Sequence, residues 1–127
     1  YPATDAAMNT PSQKEFTHDG YVLSKADMEW FWGHYLREKK DADNPYASPA
    51  RSRDLRGLPP AHVITAEFDP LRDEGENYAE LLKRAGNKVA MRRYHGVVHG
   101  FVSLAAAIDQ GKAAIRELAE QLNASLK

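Results

Sequence analysis

The segment Ala61-His62-Val63-Ile64-Thr65-Ala66-Glu67-Phe68 carries apolar residues on both pleat parities. A strand of that kind must be covered on both faces, which is the situation of a strand inside a parallel sheet. Its surroundings agree. Asp73 to Ala85 has a helical period, with Tyr78, Leu81, Leu82 and Ala85 at i, i+3, i+4 and i+7. Acidic residues fill its first turn, Glu80 and Arg84 form an i,i+4 pair, and Gly86 stands at the C′ position. Lys88 to Tyr94 is a second strand, where Val89 and Met91 alternate with Lys88, Ala90 and Arg92. Its charges place it at or near a sheet edge. Strand, helix and strand within about 35 residues make a βαβ unit with an expected right-handed crossover, so the fold class is α/β.

The rest of the chain is less regular. Residues 1–24 are rich in Pro, Thr, Asp, Gly and Ser and have loop composition, with a turn at Asp19-Gly20. Ser24 is a candidate N-cap, with Asp27 three residues on. Lys25 to Lys39 then forms a helix whose stripe is Met28, Phe31, Trp32, Tyr35 and Leu36. Asp41 to Pro60 holds four of the seven prolines and is a second loop. A last helix from about Gln110 to Leu126 puts Ile115, Leu118, Ala119, Leu122 and Leu126 on one face. The strand at 61–68 has one obvious partner here, which would leave its other edge unpaired. The expectation is that the remaining sheet lies outside these 127 residues. The start at Tyr1-Pro2, without Met, fits an interrupted or processed polypeptide.

Composition excludes several functions. A net charge of −1 with interspersed signs gives no electrostatic basis for binding nucleic acid or a membrane surface. The absence of cysteine removes disulfides, thiolate metal sites and a cysteine nucleophile. No apolar run has the length of a membrane span, no export signal opens the chain, and a cytoplasmic location is expected.

In open α/β sheets function collects just beyond the carboxyl ends of strands. Asp69 follows the first strand and His99 the second, within Gly96-Val97-Val98-His99-Gly100. Asp69 has a purely structural alternative as a helix N-cap ahead of Pro70. A lone loop His is also ordinarily a surface residue. Together, however, the two emerge on the same edge of one βαβ unit. An Asp there can hold the His tautomer through Nδ1–H and leave Nε2 for a nucleophile. His95 and His99 are four apart, but Gly stands where a His-Glu-x-x-His site needs Glu, and the segment ends a strand, so no metal site is expected. His18 and His34 are surface groups. None of Ser12, Ser24, Ser48, Ser52, Ser103 and Ser125 lies in Gly-x-Ser-x-Gly, and there is no His-Gly-Gly-Gly stretch. Three aromatics in a row cannot share one helix face, so Trp30 points away from the Phe31/Tyr35 stripe and is a candidate to line a substrate pocket or meet another subunit.

These motifs resemble the carboxyl-terminal third of hormone-sensitive-lipase-like carboxylesterases, a branch of the α/β-hydrolases. Tyr1-Pro2 is similar to the end of the strand after the nucleophile elbow. Gly20-Tyr21-Val22-Leu23-Ser24 and Asp27-Met28-Glu29-Trp30-Phe31-Trp32 are similar to the segment leading into the pocket-side helix. Asn44-Pro45-Tyr46-Ala47-Ser48-Pro49 and Leu58-Pro59-Pro60-Ala61 resemble the approach to the next strand. The most specific blocks are Asp69-Pro70-Leu71-Arg72-Asp73-Glu74-Gly75 and His99-Gly100-Phe101.

The resemblance implies that residues 1–127 are the carboxyl-terminal part of one α/β-hydrolase domain. Residues 1–60 would be the pocket-side helix and loops, and 61–127 the βαβ unit with the acid and base loops and the final helix. It implies ester hydrolysis by a Ser-His-Asp triad without metal or organic cofactor, Asp69 as acid and His99 as base. Asp73 would complement a helix dipole, and Phe101 would pack beneath the imidazole or line the pocket. The implied partners are a small-molecule ester, the amino-terminal half of the enzyme carrying serine and oxyanion hole, and a second copy paired through strand 89–94. Alone, the chain is expected to be inactive and poorly folded. Two alternatives stay open: an inert fragment serving as a binding module, and amidase, thioesterase or arylformamidase chemistry on the same triad.

Overall fold

The computed structural model describes residues 1–18 and 20–126; Asp19, half of the expected turn, lies outside them. Strand β1 (Ala61–Phe68), helix α3 (Arg72–Arg84) and strand β2 (Val89–Val98) form the βαβ unit, and the strands pair in parallel. β1 is covered on both faces, as its apolar content requires. On one face Thr65 meets α3, where Gly75 allows close approach: a Cβ there would sit 3.3 Å from Thr65 Cγ2. On the other, Ile64 and Ala66 join Tyr94, Val97, Phe101 and Ala114 in the main core. Burying a side chain such as Ile64 or Phe101 contributes roughly 1.5–3 kcal/mol.

Ala114 belongs to helix α4 (Asp109–Ser125), which meets this core through its small residues Gly111 and Ala114. The stripe of larger residues is open instead, from 38% exposed at Leu118 to 76% at Leu126. Two strands about 4.8 Å apart are too narrow to cover the length of such a helix. Leu118 and Leu122 therefore wall a groove beside Ala61 and His62.

Helix α2 (Lys25–Tyr35) starts where the sequence places it, because Ser24 and Asp27 exchange bonds: Ser24 N–H donates to Asp27 Oδ2 at 2.8 Å and Asp27 N–H to Ser24 Oγ at 3.2 Å. It ends at Tyr35, short of the expected Lys39. Leu36 turns extended, and Asp41 accepts the Glu38 N–H to start a separate 3-10 turn. Residues 1–24, expected to be loop, contain the five-residue helix α1 (Pro11–Glu15), begun by Pro11 and by Gln13 Oε1 accepting the Thr10 N–H. The Tyr1 backbone nitrogen donates to Ile64 O at 2.5 Å, along the second edge of β1; the described residues hold no third strand. No helix among them is long and apolar enough to cross a membrane.

Candidate active site

Asp69 is the first residue past β1 and is wholly buried. α3 begins at Arg72, capped by Leu71, so Asp69 is not its N-cap. Its Oδ1 accepts the Leu71 N–H at 2.8 Å, a local Asx turn that fixes the carboxylate plane. Oδ2 is left for His99 and lies 2.8 Å from Nδ1. A carboxylate only accepts, so Nδ1 is the nitrogen that carries a proton, and in the neutral imidazole this leaves the Nε2 lone pair free. The Tyr1 ring packs against the imidazole, centroids 4.6 Å apart.

His99 forms part of the wall of a cavity of about 550 Å³. The facing wall comes from α2 through Met28, Phe31, Trp32 and Tyr35, with Leu23 and Leu71 completing an apolar lining. Of the stripe expected to face a core, only Met28 is buried, against Leu23 and Leu71; Phe31 and Tyr35 are exposed to the cavity. Trp30 lies outside it, packed on Phe31 and His34. Phe101 does not line the cavity either. It is fully buried beside Tyr1 and Tyr94 and anchors the turn that follows His99.

The acid turn is held by residues far away in the chain. Ser12 Oγ donates to Pro70 O at 2.8 Å, and Ser12 N–H donates to Asp73 Oδ2 at 2.7 Å. Burial pushes the Asp73 carboxyl up, but Arg72 and Ser12 outweigh it and hold the group below the usual range. Glu74, almost completely buried, accepts the N–H of Thr4 at 2.6 Å, that of Asp5 at 3.3 Å and Gln13 Nε2 at 2.5 Å. Burial outweighs the Thr4 and Asp5 amides and pushes its carboxyl up to about 7. The sequence gives no hint of this clasp beyond Thr10-Pro11 with Gln13, a helix-start signature in an otherwise loop-like stretch.

Residues 1–103 match the family described as alpha/beta hydrolase fold. The chain belongs to the α/β-hydrolase fold family. Within it, the hormone-sensitive-lipase-like resemblance extends to relatives named as esterases. This α/β-hydrolase chain is 41% identical over 127 residues to the carboxylic ester hydrolase LipN of Mycobacterium tuberculosis, covering 99% of the chain and 34% of that protein. It is 32% identical over 126 residues to the ethyl acetate hydrolase of Pseudomonas putida, covering 99% of the chain and 39% of that protein. Its fold superposes on a thermophilic carboxylesterase cloned from a metagenomic library with a TM-score of 0.94 at 40% identity, covering 98% of the chain and 42% of that structure. A thermostable esterase from Pseudomonas putida gives 0.92 at 43%, covering 99% and 40%. The chain thus spans between about a third and two fifths of the length of these relatives.

Proposed function

We propose that this chain supplies the acid and base of a Ser-His-Asp triad for carboxylic ester hydrolysis, the serine and oxyanion hole coming from an amino-terminal part of the same enzyme. The observation that carries the reading is the buried Asp69 carboxylate set 2.8 Å from His99 Nδ1, with His99 on the wall of an apolar cavity. His99 Nε2 takes the serine proton as the hydroxyl attacks the ester carbonyl, then returns it to the departing alcohol. In the second half it takes a proton from water as the water attacks the acyl-serine carbonyl, then gives that proton to the serine oxygen as the acyl–oxygen bond breaks and the acid is released. Asp69 keeps the tautomer and stabilises the imidazolium. The apolar lining suits the carbon portions of an ester. The names of the relatives support ester substrates as the class.

The test is turnover of p-nitrophenyl acetate and butyrate. The complete enzyme is expected to hydrolyse both, its His99→Asn variant and the isolated 127 residues neither. Full activity of His99→Asn contradicts the reading.

A homodimer through strand 89–94 is part of the same proposal. The outer edge of β2 has no strand partner among the described residues, and Met91 on it is 43% exposed. Sedimentation of the complete enzyme is expected to show a dimer that Met91→Pro dissociates; a wild-type monomer at micromolar concentration contradicts it.

A further inference from the structure

β1 and β2 run in step from Ala61 opposite Val89 to Ala66 opposite Tyr94, and then Phe68 pairs with Val98. Over that interval β1 advances by two residues and β2 by four, so β2 carries two extra residues opposite Glu67. Had the first register continued, Val97 would lie beside Asp69. His99 would then stand about 6.6 Å further along, at roughly 3.3 Å per residue. The bulge is therefore what brings the imidazole level with the acid. Bulges of this kind re-aim side chains next to active sites.

A bulge costs ladder hydrogen bonds, and this one replaces one of them with a side chain. Gly96 takes φ 74°, a left-handed conformation suited to glycine, and its N–H donates to Glu67 Oε2 at 2.7 Å. Glu67 is the β1 residue that the pairing skips. Its backbone oxygen meanwhile accepts Arg72 Nη1 at 3.0 Å, on the acid side. One residue thus bonds the loop of the base with its carboxylate and the start of α3 with its carbonyl. The Gly96 amide is the nearest partner of that oxygen: His95 Nδ1 stands beside the same Oε2 at the longer distance of 3.5 Å, and Arg93 is engaged by both oxygens of Glu76.

We propose that Glu67 is a positioning residue for the base, its carboxylate closing the β2 bulge through the Gly96 N–H and so holding His99 against Asp69. The proposal rests on the reading of Asp69 and His99 as acid and base. A charge-assisted bond to a backbone amide is stronger than a neutral one, and the Gly96 amide holds the Glu67 carboxyl below its ordinary range. The decisive contact is nevertheless the acceptor oxygen, which glutamine also has and alanine lacks.

The experiment compares Glu67→Ala, Glu67→Gln and Asp69→Asn in the complete enzyme, with p-nitrophenyl butyrate as substrate. Glu67→Ala is expected to lower kcat about 10- to 100-fold, the loss a misplacement of order 1 Å produces, with KM within about twofold. Glu67→Gln is expected to recover most of that loss. Exchange of the Gly96 amide, followed by mass spectrometry, should be slow in wild type and Glu67→Gln and fast in Glu67→Ala. Wild-type kcat in Glu67→Ala while Asp69→Asn is crippled overturns the role of Glu67 and leaves the triad reading standing. So does a Glu67→Gln no better than Glu67→Ala, or an exchange rate indifferent to Glu67. Full activity of Asp69→Asn overturns the triad reading itself, and this proposal with it.

Discussion

Asp69 Oδ2 and His99 Nδ1 stand 2.8 Å apart across 30 residues of chain, the acid fully buried and the imidazole on a cavity wall. Each side chain leaves the carboxyl end of one strand of a parallel pair. The separation between them is set by the strand register rather than by loop flexibility.

Asp69→Asn keeps the Leu71 turn through its amide oxygen but can offer an N–H to Nδ1, which favours the wrong tautomer. The equivalent change in a serine protease triad lowers kcat by about 10⁴ for that reason. A loss of the same order is expected here, with an unchanged far-UV spectrum, measured by steady-state kinetics on the complete enzyme.

The cavity wall separates two neighbouring tryptophans. Trp32→Ala removes apolar contact from the lining, and kcat/KM for a butyrate ester should fall about tenfold, the scale of one hydrophobic subsite contact. Trp30→Ala, on the outside, should leave it within about twofold of wild type. Paired progress curves check this, and equal losses in the two variants contradict the placement.

Glu74 makes stability depend on pH. Its carboxyl lies at about 7 in the fold against 4.5 when free, so the folded state binds the proton more tightly. Its contribution is fully present below about pH 4.5 and is lost as pH rises through about 7, by about 3 kcal/mol at most. Glu74→Gln stays neutral throughout, so the fall in Tm from pH 5 to 7.5 should be smaller than in wild type. Parallel slopes in differential scanning calorimetry contradict it.

Gly111→Ala should destabilise, although alanine ordinarily favours a helix interior. A Cβ at Gly111 would lie 2.6 Å from Phe101 O and 2.9 Å from Ala105 Cα. Overpacking of this kind costs about 1–3 kcal/mol, more than the helix preference returns. A thermal melt reads the sign.

The sequence makes the βαβ unit legible because its signals are local. The bounds of β1 match and α3 and α4 each shift by one residue, but β2, expected over Lys88 to Tyr94, runs on to Val98, because the residues after its bulge pair again with β1 through Phe68. What is not legible depends on distant partners. Thr4, Ser12 and Gln13 are buried polar residues in a stretch of loop composition, satisfied by residues 58 to 70 positions away. The β2 bulge leaves no trace beyond Gly96, since the same residues also suit an ordinary loop. On α2 the apolar period is real, but a cavity wall has the same period as a core face. That is why Phe31 and Tyr35 line the space beside His99 and Trp30 does not.

The most direct measurement is the rate of covalent labelling by a fluorophosphonate, with peptide mapping of the adduct, in the complete enzyme and its His99→Asn variant. The proposed triad predicts one rapid adduct on a serine outside these 127 residues, with labelling lost in the variant. An adduct on Ser12, Ser24, Ser48, Ser52, Ser103 or Ser125, or wild-type labelling without His99, contradicts it.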